Sequence, residues 1–148
     1  MNLHTSQESG NVIVDHRFPA RARELSLTRT VTRTALNNQG WSTDIVEAIV
    51  LAIDEACQNI IRHAYRGECD APIMLHIELQ GERLMVILMD QAPAVSSDCM
   101  QPRAFEDLRP GGLGCHFIQQ VMDHVSMEPS PSGQGNILRM TKDIKNHP

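Results

Sequence analysis

The polar and apolar positions of the chain change period several times, and each change marks an element. Asn11 to Phe18 (NVIVDHRF) reads as a short strand that Pro19 closes. From Ala20 to Asn37 the apolar residues Ala22, Leu25, Leu27, Val31, Ala35 and Leu36 fit a helical period imperfectly, and Asn37-Asn38-Gln39-Gly40 ends the run. Ser42 or Thr43 can cap a second helix, with Asp44 and Glu47 favourable in its first turn. This helix is expected to run to about Tyr65. Its residues Ile45, Ile49, Ala52, Ile53, Ala56 and Ile60 form a broad apolar arc that must face a sheet.

After the turn Arg66-Gly67-Glu68-Cys69-Asp70-Ala71-Pro72, two strands are expected, Ile73–Leu79 and Leu84–Met89, joined as a hairpin by Gln80-Gly81-Glu82-Arg83. From Asp90 to Gly112 the chain holds Pro93, Pro102 and Pro110 with little periodicity, the pattern of a lid or binding loop. A helix starts near Leu113 with Phe117, Ile118, Val121, Met122 and Val125 on one face. Ser126–Pro129 and Ile137–Ile144 close the chain as a last pair of strands. No repeat, linker or low-complexity tract interrupts this order, so the expectation is a frayed N-terminus over residues 1–10 and one domain over 11–148.

Composition narrows the function classes. A chain of 148 residues suits one domain, which at that size buries about 70% of its unfolded surface. Aromatic residues make up only 3%, so Ile, Val, Leu, Ala and Met must build the core. A net charge of −5 argues against direct binding of nucleic acid. No apolar run reaches the ~18 residues of a membrane span, and the N-terminus has no apolar signal core, so a cytoplasmic location is expected. Cys57, Cys69, Cys99 and Cys115 lack paired metal-type spacing and read as free thiols.

Three features carry candidate chemistry. Glu55 and Asn59, four apart, share a helix face beside the short side chains of Ala48, Ala52 and Ala56. A carboxylate and an amide oxygen at that spacing can serve a general base and a hard cation, or simply an edge salt bridge and a hydrogen-bonded asparagine. Arg109-Pro110-Gly111-Gly112-Leu113-Gly114 precedes the amphipathic helix, where glycines permit close approach and unpaired N–H groups can meet phosphate; a flexible helix start is the alternative. Asp90 ends an apolar strand, placed either to accept a hydrogen bond from an adenine amino group or to initiate a turn.

In this order the features resemble the ATP-binding domain shared by gyrase, heat-shock chaperones and sensor histidine kinases, and within it the anti-sigma-factor serine kinases. The run Leu51 to Tyr65 (LAIDEACQNIIRHAY) is similar to that family's acidic-Asn box and His-Ala-Tyr tail. Gly111-Gly112-Leu113-Gly114 with Met122-Asp123-His124-Val125 is similar to its glycine box and following helix, and Gly135 to Met140 to its closing strand. The likeness runs from about Val12 to Lys142.

The resemblance implies an α+β two-layer sandwich, a mixed, mainly antiparallel sheet with helices on one face. It implies ATP and Mg²⁺ as cofactors, with Glu55 as the base that takes a proton from a protein serine and Asn59 as the Mg²⁺ ligand. Asp90 and Ala92 would meet the adenine, and Gly111, Gly112, Leu113 and Gly114 the phosphates. The implied partners are a small antagonist protein of the anti-anti-sigma type as phosphoacceptor, an alternative sigma factor, and a second copy of the chain in a homodimer. His63 reads as packed or hydrogen-bonded rather than catalytic. One departure bears on activity: the family has Asp-x-Gly where this chain has Asp90-Gln91-Ala92, and a methyl there crowds the adenine or shifts the backbone. A partner-binding module that senses ATP without transferring phosphate is the competing expectation.

Overall fold

The computed structural model describes residues 10–93 and 113–144, the side chains of 113–115 excepted. The elements are β1 (Asn11–Pro19), a 3-10 turn (Ala22–Glu24), α1 (Leu25–Asn37), α2 (Thr43–Asn59), a π turn (Ile60–Ala64), β2 (Pro72–Gln80), β3 (Arg83–Pro93), α3 (Leu113–Val121), β4 (His124–Pro129) and β5 (Gln134–Asp143). The strands form one sheet in the order β1-β2-β3-β5-β4, antiparallel at each of these pairings.

Alternation decides the two faces of that sheet. Ile73, Leu75 and Ile77 of β2, Leu84, Val86 and Leu88 of β3, and Leu138 and Met140 of β5 are buried in the core. The intervening Met74, His76, Met85, Ile87 and Met89 are half-buried on the opposite face. On the core side lies α2, capped by the Ser42 hydroxyl, which accepts from the Ile45 amide. It packs between α1 and α3. Burial therefore extends beyond the expected arc to Val46, Val50 and Cys57. The result is the expected two-layer α+β sandwich with the helices on one face.

The arginines of the first helix bind it to its neighbours. Arg33 makes a forked pair with Glu47 of α2 at 2.6 and 3.0 Å, and Arg29 reaches the buried Asp54 at 2.9 Å. Arg21 meets Asp70 at 2.7 Å.

Several boundaries differ from the sequence expectation, each for a local reason. The first helix opens as a 3-10 turn and becomes α-helical only at Leu25. The second is α-helical only to Asn59 and closes through the π turn. β3 continues past Met89 to Pro93, because β5 pairs with it as far as Gln134 opposite Pro93. The last helix stops at Val121, and Val125 belongs to β4, opposite Met140. β4 thus begins at His124, and β5 begins at Gln134 and ends at Asp143. The expected frayed segment up to residue 9, the loop over 94–112, Cys99 and the Cys115 side chain lie outside the described residues. Among the described cysteines, Cys57 and Cys69 are free; burial pushes the Cys57 thiol well above its ordinary range, which leaves it inert. No helix among the described residues is long and apolar enough to cross a membrane.

Candidate functional site

The last turn of α2 carries the first half of the site. Glu55 is partly exposed at the helix margin, and Asn59 is 3% exposed at its last residue. Arg62, one turn on, sends Nη2 to Glu55 Oε2 at 3.5 Å and to Asn59 Oδ1 at 3.4 Å, while Nη1 meets Gln58 Oε1 at 3.3 Å. One guanidinium is thus shared by the expected base and the expected metal ligand. The i, i+4, i+7 spacing of Glu55, Asn59 and Arg62 is the sequence signal for this. Both contacts are long for charge-assisted bonds.

The helix does not simply stop after Asn59. The Tyr65 amide donates to Ile60 O at 3.0 Å, closing the π turn, and the Gly67 amide donates to Ile61 O at 2.7 Å. Between them Arg66 sits at φ 62°, a left-handed conformation that a side-chain-bearing residue adopts only under constraint. π turns inside helices concentrate at functional sites. His63 is exposed on this segment.

The second half lies on the sheet. Asp90 is not at a strand end but inside β3, 5% exposed, paired with Ile73 on one side and Asn136 on the other. Its Oδ1 accepts from the Asn136 side-chain amide at 3.0 Å and from the Ala92 backbone amide at 2.9 Å. Burial raises its carboxyl above the ordinary carboxylate value, against these hydrogen bonds, which lower it. Asn136 is itself 4% exposed, and its side-chain oxygen has no hydrogen-bond partner among the described residues. Gly135 lies against the same strand at φ 104°, and a Cβ there would collide with the Asp90 carbonyl oxygen. Ala92, expected just beyond the strand, is a buried residue within it.

Asn136, which bonds Asp90 from 46 residues away, carries no local signal in the sequence. Tyr65, which ends the His-Ala-Tyr tail in the sequence, sets its hydroxyl against β3 beside Asp90. Of the expected phosphate residues, Leu113 and Gly114 form the first turn of α3, which packs on α2; Gly111 and Gly112 lie outside the described residues.

The donor sets suit the expected ligands. Asp90 and Asn136 offer two neighbouring buried acceptors, complementary to an exocyclic amino group. Among the described residues no His, Cys, Asp or Glu cluster could cage a metal, and one amide oxygen fits a Mg²⁺ that takes its other ligands from phosphates and water.

The class of domain with an antiparallel sheet under a helical layer, a helix-borne Glu-x-x-x-Asn and a buried strand aspartate is settled by comparison with known families. The chain belongs to the histidine kinase-like ATPase domain family, whose sequence profile matches residues 18–142. It is 28% identical over 140 residues to a serine-protein kinase RsbW of Halalkalibacterium halodurans, covering 89% of this chain and 83% of that one. A serine-protein kinase RsbW of Staphylococcus aureus is 26% identical over 147 residues, covering 93% and 91%. In fold it is similar to a chain of the SiaB–SiaC complex from Pseudomonas aeruginosa, with TM-score 0.62, 15% identity and 95% of each chain covered. A Mycobacterium tuberculosis structure of RsbU and RsbW domains gives TM-score 0.62 at 14% identity, over 88% of this chain and 31% of that one.

Proposed function

We propose that this chain is a cytoplasmic anti-sigma-factor type kinase that binds Mg-ATP and phosphorylates a serine on a small antagonist protein. By exchanging that partner for an alternative sigma factor it would control transcription without touching nucleic acid. The observation that carries the reading is the pairing of Glu55 and Asn59 at the end of α2 with the buried acceptors Asp90 and Asn136, in a chain whose relatives bear the name serine-protein kinase.

In this reading Asp90 accepts from the adenine amino group, with Ala92 packed beside it. Backbone N–H groups of Gly111, Gly112, Leu113 and Gly114 receive the phosphates at the start of α3. Mg²⁺, held by Asn59, neutralises phosphate charge when bound. Glu55 takes the proton from the partner's serine; the freed oxygen bonds to the terminal phosphorus as its bond to the bridging oxygen breaks, and ADP leaves. Such transfer needs mainly positioning and charge neutralisation. A homodimer is supported by the half-buried Met74, Met85, Ile87 and Met89 on the sheet face away from the helices, which a second copy would cover.

Ala92 favours a second reading, an ATP-sensing module that switches partners and transfers nothing. Labelled ATP incubated with the protein and with candidate antagonist proteins encoded beside it separates the two. Label on the antagonist supports the kinase. ATP- and ADP-dependent binding without label supports the switch.

A further inference from the structure

We propose that Tyr65 is a positioning residue for the base end of the nucleotide site, its hydroxyl spliced into the β2–β3 ladder to hold Asp90 where it reads the purine. The inference rests on the assignment of Asp90 to the adenine made above.

The hydrogen bonding is specific. The Gln91 backbone amide donates to the Tyr65 hydroxyl oxygen at 2.7 Å, and the hydroxyl donates to the Pro72 carbonyl at 2.7 Å. The β2–β3 register ends with Ile73 opposite Asp90, and one step further would set Pro72 opposite Gln91. In an ordinary antiparallel ladder that amide and that carbonyl would bond directly. Here a phenol hydroxyl stands between them as a relay, so the two strands spread without leaving either group unpaired. The spread begins one residue beyond Asp90. On its other edge β3 also departs from regular register between Asp90 and Pro93. Just past Asp90, β3 is therefore irregular on both edges, and on its β2 edge the Tyr65 hydroxyl bridges the gap.

That side chain is itself held. The π turn and the left-handed Arg66 set the Tyr65 backbone, and the ring packs against the core. The π turn also starts directly after Asn59. One short segment thus joins the residue expected at the metal to the residue expected at the base.

A phenylalanine keeps the ring and deletes the relay. The β2–β3 ends then either close on each other or take up water, and both outcomes move Asp90. The loss should fall on recognition of the 6-amino group alone. Binding of ATP and of inosine triphosphate, which has a carbonyl oxygen at that position, is measured by calorimetry for the wild type, Tyr65→Phe, Asp90→Ala and the double variant. The ATP-to-inosine-triphosphate affinity ratio should fall about 3- to 10-fold in Tyr65→Phe, the scale of one hydrogen bond. In the Asp90→Ala background the second substitution should change the ratio no further.

Equal losses for both nucleotides, or none, overturn the role of Tyr65 while leaving Asp90 in place. An unchanged ratio in Asp90→Ala overturns the adenine assignment and this inference with it. A measurement on the unaltered protein guards against a variant that does not fold: the Gln91 amide, on an exposed residue past the last β2 pair, should be protected from hydrogen exchange. Exchange at the rate of a free peptide overturns the relay.

Discussion

Asn136 donates its side-chain amide to Asp90 at 3.0 Å, and its own side-chain oxygen is left buried beside that carboxylate without a partner among the described residues. A buried acceptor such as this Asn136 oxygen, beside a carboxylate, has room for a donor. An exocyclic amino group supplies two N–H bonds, which is why this pair, rather than Asp90 alone, defines the base end of the proposed site.

Asp90 should make stability depend on pH in a direction that exposes its burial. Its folded carboxyl titrates above the ordinary 3.8 of an unfolded chain. The folded state therefore holds its proton over a pH range where the unfolded state has released it, and stability falls as pH rises from about 4 through the folded value. Asp90→Asn removes that loss. Urea unfolding of the nucleotide-free proteins from pH 4 to 8 should show the variant gaining on the wild type as pH rises, while its ATP affinity drops. A constant difference across the range would mean that Asp90 ionises as readily folded as unfolded.

Asn59→Ala should abolish most of the thermal stabilisation by Mg-ATP. A ligand at a hundred times its dissociation constant adds about 2.7 kcal/mol, a rise of several degrees for a domain of this size. Differential scanning fluorimetry with and without nucleotide reads this directly. An undiminished shift would remove Asn59 from the metal site.

Ala92→Gly restores the family's usual residue, and the structure changes what that should do. Ala92 is buried inside β3, not placed after it. Glycine in a strand interior costs about 0.5–1 kcal/mol, and the lost buried methyl adds about 0.8 kcal/mol. Urea midpoints should therefore fall, while calorimetry should show tighter ATP binding as the methyl is withdrawn from the adenine. Weaker binding would make the alanine a favourable contact of this chain's own site.

Glu55→Gln keeps the shape and hydrogen bonding of the side chain but removes the base. Transfer to the partner serine should fall roughly 10²–10⁴-fold with nucleotide affinity retained. Full transfer by the variant would discard Glu55 as the base.

Much of the architecture was legible because neighbouring residues encode it. The Ser42 cap and the apolar arc of α2 are local, as is the alternation of β2 and β3 around Gln80–Arg83. Glu55, Asn59 and Asp90 stood out because their spacing matches a known order. What escaped notice depends on distant partners. Nothing near Asn136 announces Asp90, and nothing near Tyr65 announces Gln91. The exit from α2 as a π turn was equally hidden, since Ile60-Ile61-Arg62-His63-Ala64 continues the helical pattern and only the bonds to Ile60 and Ile61 distinguish it. β3 runs longer than expected because Ala92 and Pro93 resemble a loop in sequence, while β5 pairs again with Pro93 beyond the irregularity at Gln91 and Ala92.

The π turn makes the interval from Asn59 to Tyr65 a caliper. A deletion or insertion of one residue inside it would swing the phenol to another side of the helix axis, even if every side chain on either end were kept. The ring's place thus depends on the length of this interval, and an indel of one residue would carry it away from the strand beside the aspartate.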